Sequence, residues 1–198
     1  MRRYRDTLKR IMDGDFAHAS EQDRRNAVRE VIDVCSVAAG AVSVQPIPFL
    51  DVALISPIQI AMVQAIARVH GHSLDKRSVI EMLSTFGASI IAQNVIIAAA
   101  KFVPFAGWVM AIAMAYALTY AIGEVSDHYF LKGRGVTTDE LRERFERVYK
   151  EKREEKQKAH KANASLKDKL EQLKEAHKAG LLTEEEFNRK KEELLQGF

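Results

Sequence analysis

Residues 86–123 read FGASIIAQNVIIAAAKFVPFAGWVMAIAMAYALTYAIG, and the placement of that stretch decides the fold. Two apolar runs meet at Phe102-Val103-Pro104-Phe105-Ala106-Gly107-Trp108. The first carries no charge before Lys101, and the second, Ala106 to Gly123, carries none. Apolar runs of this length are buried helices or membrane elements, and the intervening turn joins them as a helical hairpin. A full transmembrane helix needs roughly 20 apolar residues. The second run nearly reaches that length, whereas 86–100 falls short and contains Ser89, Gln93 and Asn94. Alanine and glycine in both runs favour close helix–helix approach in either solvent. Phe102, Phe105 and Trp108 beside Lys101 suit a lipid headgroup zone. The same aromatics suit the end of a soluble bundle, and Lys101 need only snorkel in either setting. Two placements therefore stand open, a bundle core or a membrane element.

Working outward, the 198-residue chain has a formal net charge of +3 that conceals strong segregation. Between 31 and 123 the charges are Asp33, Asp51, Arg68, Asp75, Lys76, Arg77, Glu81 and Lys101, while the chain from 139 onward is dense in both signs. Charges that nearly cancel argue against a nucleic-acid arm. The charged N-terminus MRRYRDTLKRIMDGDF has no apolar h-region, so no secretory signal is expected. The expected location is cytoplasmic, at the inner membrane if the hairpin contacts lipid.

Residues 1–20 form a basic amphipathic segment, with Tyr4, Leu8, Ile11 and Met12 at helical spacing among arginines and lysines. Ser20 is placed to cap a helix whose first turn holds Glu21 and Asp23. That helix turns apolar from Val31 and ends near Val44. Pro46-Ile47-Pro48 forbids its continuation, Asp51 is placed to cap the next helix, and Pro57 suits a first helical position. The helix through Gln59 and Gln64 ends before Gly71, a short amphipathic piece spans Asp75 to Ser84, and a break falls around Gly133-Arg134-Gly135. Thr138-Asp139-Glu140-Leu141 opens a further helix with a narrow stripe of Leu141, Phe145 and Val148. The polar run Lys150 to Lys161 can bury no core and reads as a solvated helix or linker.

At the C-terminus, Leu170 and Leu173 give one helix an apolar stripe and Gly180 stands at its C′ position. Thr183 with Glu186 fits a capping box for a second helix, whose Phe187, Leu194 and Leu195 face the first. A pair this small buries little by itself, so a protein partner or a second copy is expected.

Signatures of catalysis are missing from the sequence. It contains no GxxxxGK[ST] and no HExxH. Of the six histidines only His70 and His72 are close, flanking Gly71 as a helix-end pair rather than a metal site. Cys35, the single cysteine, lies in an apolar helical context and reads as a buried structural thiol. No catalytic, cofactor-binding or metal residue is assigned, and the chain is not expected to be an enzyme.

PIPFLDVALISPIQIAMVQAIARVHG, residues 46–71, resembles the bacterial domain of unknown function that follows Era-like GTPase domains and also occurs in inner-membrane proteins. The matching positions are Pro46, Pro48, Asp51, Pro57, Gln59, Met62, Ile66 and Gly71. The hairpin with Pro104 and Gly107 continues the likeness, which covers roughly 25–130. This resemblance implies an α-helical, membrane-associated module linked to a small GTPase, and no known reaction. LKDKLEQLKEAHKAGLLTEEEFNRKKEELL, residues 166–195, resembles the short C-terminal SHOCT domain, which implies oligomerisation or partner binding.

The expected architecture is all-α: a multi-helix bundle over 21–135 around the hydrophobic hairpin, a charged helix or linker over 136–165, and a small helix-turn-helix over 166–198. The expected role is a non-enzymatic, membrane-associated protein whose tail recruits or multimerises partners. The alternatives are a soluble adaptor that hides the hairpin in its core, or a pore-forming or membrane-remodelling unit.

Overall fold

The computed structural model describes residues 2–43, 50–85, 107–178 and 183–196. All regular structure among them is helical: α1 (Arg2–Met12), α2 (Glu21–Val42), α3 (Leu50–Val69), α4 (Lys76–Thr85), α5 (Gly107–Lys132), a 3-10 turn (Gly133–Gly135), α6 (Thr138–Lys178) and α7 (Glu184–Gln196). The chain is thus all-α. It divides into two compact units, 1–154 and 155–198, with α6 contributing to both.

The local start signals act as the side chains dictate. Ser20 Oγ accepts from Asp23 N at 3.1 Å and caps α2. Asp75 Oδ1 accepts from Ser78 N at 2.7 Å at the head of α4, and hydrogen bonds from Ser78 hold the exposed Asp75 carboxyl below its usual range. At α6 the cap is Thr137 rather than Thr138, because Thr137 Oγ1 is the group that accepts from Glu140 N, at 3.2 Å.

In the first unit α2 packs against both α5 and α3, α3 packs on α5, and α1 lies across α2 and α3. The first apolar run and the turn expected to make a hairpin lie outside the described residues, while helix α5 carries the second run from Gly107 on. Its residues Ala111, Leu118, Ala121, Ile122 and Val125 are fully buried together with Val31, Ile55, Met62 and Ile66 from its neighbours. A helix apolar all round must be enclosed, and here α2 and α3 supply the enclosure. Gly123 is not the end of this helix, which continues to Lys132. The glycine permits close approach, since a Cβ there would stand 2.6 Å from Ile32 Cγ1. Two polar groups inside the core find partners there, whereas the buried Ser36 Oγ has none. Gln59 Nε2 donates to Thr119 Oγ1 across α3 and α5 at 3.2 Å, and Ser126 Oγ back-bonds to Ile122 O at 2.8 Å.

Three expectations need correction. Pro57 does not open a helix but lies inside α3, eight positions into its run from Leu50. The proline costs one backbone bond, yet Pro57 is itself exposed while Ile55, Ile58, Met62 and Ile66 on either side are buried, so tertiary burial carries the helix through it. The N-terminal segment is not separate, because Ile11 is fully buried and Thr7 and Arg10 bind Glu30 of α2. Burial pushes the Glu30 carboxyl up, but the hydrogen bonds from Arg10 and Thr7 outweigh it and leave the group below its usual range. The bundle also reaches past 135. Leu141, Phe145 and Tyr149 of α6 belong to the same core, so the first unit ends at Glu154. Beyond Tyr149 the polar run Lys150 to Lys161 is helical throughout.

Cys35 is fully buried in α2, and that burial pushes its thiol up to about 12, in keeping with a structural role.

Candidate functional site

A polar arrangement in the first unit gathers where α3 ends. After Val69 the chain makes a Schellman turn: Gly71 N donates to Arg68 O at 3.0 Å and His72 N to Ala67 O at 2.8 Å, with Gly71 at φ 82°. The turn sets His70 and His72 on either side of the glycine and brings both rings to Phe130 of α5, with centroids at 6.1 and 5.5 Å. His70, whose side chain is 9% exposed, lies with Nε2 2.7 Å from Asp127 Oδ1. The next residue of α5, His128, lies with Nε2 2.8 Å from Glu140 Oε1 at the head of α6, and Lys132 Nζ donates to the same oxygen at 3.0 Å. Hydrogen bonds from His128 and then Lys132 hold the Glu140 carboxyl below its usual range. Consecutive residues, Asp127 and His128, therefore tie α5 to the end of α3 and to the start of α6.

The expected histidine pair is thus a helix-end feature, as its spacing implies. Its partner Asp127 lies 57 positions away from His70, and nothing in local spacing could announce it. Among the described residues no group of three His, Cys, Asp or Glu side chains is placed to hold a metal ion. Because the Schellman turn needs the left-handed conformation at a site with open space around it, Gly71→Ala is expected to cost about 1 kcal/mol through backbone strain alone. Chemical denaturation of the full chain checks this.

The second unit holds the other arrangement. Thr183 Oγ1 accepts from Glu186 N at 3.3 Å while Glu186 Oε2 accepts from Thr183 N at 3.0 Å, the reciprocal capping box at the head of α7. Hydrogen bonds from Thr183 hold the Glu186 carboxyl below its usual range. Phe187 stacks on His177 of α6 with centroids at 4.7 Å, and His177 Nε2 lies 3.0 Å from Glu184 Oε2. Leu170 and Leu173 are half-buried in α6, and Leu194 lies in α7. Gly180 lies outside the described residues.

Of the residues assigned to a membrane contact, Lys101, Phe102 and Phe105 lie outside the described residues. Trp108, expected in the turn, is the second residue of α5. Of the turn residues, Pro46 and Pro48 also lie outside, and Asp51 is the second residue of α3 rather than its cap. Among the described residues no helix is long and apolar enough to cross a membrane.

Comparison with known proteins places these features. The profile of a domain of unknown function, DUF697, matches residues 12–154, and that of the SHOCT short C-terminal domain matches 168–195. Magnetosome membrane protein 22 of Magnetospirillum gryphiswaldense is 31% identical over 108 residues, covering 49% of this chain and 54% of that protein. The chain thus spans about half the length of this curated relative. No solved structure matches it.

Proposed function

We propose a non-enzymatic, membrane-associated role for this chain, which belongs to the DUF697 family and carries a C-terminal SHOCT domain. The observation that carries the reading is the relative whose printed name places it in a membrane. The apolar stretch 86–108, whose one charge is Lys101 and which ends in Phe102, Phe105 and Trp108, supports it, because aromatics beside a lysine suit the headgroup zone. In this reading the body of α5 stays in the bundle, and the stretch before it meets lipid together with Trp108 at its first turn. Flotation of the full chain with vesicles of phosphatidylglycerol and phosphatidylcholine tests this. The wild type is expected to float, and a variant with Phe102, Phe105 and Trp108 all changed to serine is expected to lose most of that binding. Failure of the wild type to float, with a monodisperse detergent-free monomer, would sink the membrane reading.

A second reading, a soluble helical adaptor, draws on the burial of α5 between α2 and α3. In both readings the tail unit binds a protein partner or a second copy, and a small GTPase is one such partner by family likeness. Here Phe187→Ala and Gly180→Val are each expected to raise the Kd of self-association about tenfold while leaving the unfolding of the first unit unchanged. Sedimentation equilibrium of the three chains decides it; identical association constants would remove the tail from assembly.

A further inference from the structure

We infer that the cavity at the C-terminal end of α3 binds a phosphate group, carried by a soluble phosphomonoester or by a lipid headgroup. The cavity, of about 200 Å³, opens between the connection from α1 to α2, the first turns of α2 and the Schellman turn. Its walls include Arg24, Arg68, His70 and His72, set against the carboxylate of Asp15 and the ring of Phe16. That volume is below the several hundred cubic ångströms of a drug-sized ligand site and suits one small oxyanion with its water.

Two guanidinium groups outnumber one carboxylate here, and Asp15 is partly spent, since its Oδ1 accepts from Ala17 N at 2.9 Å. Arg24 is anchored from one side, with Nη2 donating to Phe16 O at 2.9 Å and to Ala17 O at 3.3 Å. Its Nε is buried with no hydrogen-bond partner. The same holds for Nε of Arg144 and Arg153, and a nitrogen closed off in this way does not itself meet a ligand, so Arg24 contributes its charge to the cavity rather than that donor.

The carbonyls that end a helix ordinarily repel anions, but at this end Ile66 O, Ala67 O and Arg68 O already accept from the amides of His70, His72 and Gly71. His70 is committed to Asp127 and serves as wall. Arg68 and His72 are exposed at the cavity mouth, and Arg68 pairs with no carboxylate among the described residues. A guanidinium fork matches the oxygens of a phosphate in a way that a lone ammonium cannot, so Arg68 closes on the ligand from outside, with the positive charge of Arg24 in the wall behind it.

The test uses the full chain. Inorganic phosphate, titrated against chloride at matched ionic strength, is expected to raise the melting temperature saturably. Arg68→Gln, a surface change, is expected to weaken that response about tenfold or more. Arg25→Gln, on the exposed face of α2 and paired with Glu21, should keep it. Vesicles containing phosphatidic acid separate the two sources: binding that Arg68→Gln loses and inorganic phosphate competes away assigns the site to a headgroup. A saturable phosphate response without vesicle binding assigns it to a soluble phosphomonoester, and would stand even if the membrane reading fell. No saturable response to inorganic phosphate, or an equal response in Arg68→Gln, overturns the inference.

Discussion

Replacing Gly123 with alanine is expected to destabilise the first unit by about 2 kcal/mol, whereas Gly40→Ala should leave it unchanged or slightly more stable. Both glycines sit inside helices, where alanine is intrinsically better by about 1 kcal/mol. What separates them is the opposite wall. A Cβ at 123 would lie 2.6, 3.1 and 3.2 Å from Cγ1, Cδ1 and Cγ2 of Ile32, and Ile32 is buried in α2. A β-branched side chain in a helix has essentially one rotamer, so Ile32 cannot swing aside and α2 and α5 must move apart. At 40 the nearest atoms, Ile112 Cγ2 and O, stand at 3.5 Å, ordinary contact. Urea unfolding of the full chain reads both variants. Ile32→Ala removes the obstruction at its own cavity cost of about 2–5 kcal/mol. The double variant Ile32→Ala with Gly123→Ala should therefore lose less than the sum of the single losses, by roughly 0.5–3 kcal/mol. Strict additivity would show that the contact is not what makes Gly123 matter.

That contact also shows where sequence reading stops. Caps within three or four residues are local chemistry, and Ser20 and the pair Thr183 with Glu186 behave as their spacing predicts. Thr137 and Thr138 are adjacent and chemically equal, so only the backbone path selects Thr137. Pro57 departs from its expected place for the opposite reason: local preference opposes a proline inside a helix, and the burial of Ile55, Ile58 and Met62 overrides it. The charge-free run 106–123 declared that it must be enclosed, but not by what. Whether neighbours or lipid enclose it depends on the complementary surfaces of α2 and α3, which are far away in sequence. The polar ties from His70 to Asp127 and from Gln59 to Thr119 span 57 and 60 positions, and no periodicity encodes such pairs. The cavity beside Arg24 and Arg68 arises from three segments that meet only in the fold.

Phe145→Ala is expected to have the largest effect of any single substitution considered, about 3–5 kcal/mol. Read along the chain, Phe145 stands among Arg142, Glu143, Arg144, Glu146 and Arg147, and with Leu141 and Val148 it makes only a narrow apolar stripe. In the fold it is 1% exposed, lies parallel to Tyr149 at 6.1 Å between ring centroids, and shares the core with Leu141. Arg144 of the same turn reaches Glu124 of α5 at 3.1 Å, and Lys152 sits over the Tyr120 ring at 4.7 Å. The start of α6 is thus a wall of the bundle, held by one apolar stripe and framed by charges. For a domain whose net stability is about 5–15 kcal/mol, removing that aromatic takes a large share of the total. Glu143→Ala, exposed two residues away, should fall within about 0.5 kcal/mol of wild type. The same packing predicts the effect of truncation. A chain ending at 154 should unfold cooperatively at nearly the denaturant midpoint of the first unit in the full protein. A chain ending at 135 should show no cooperative transition, because the surface covered by Leu141, Phe145 and Tyr149 would stand open to water. Equal cooperativity in the two truncated chains, or a loss in Phe145→Ala no larger than that in Glu143→Ala, would place α6 outside the bundle.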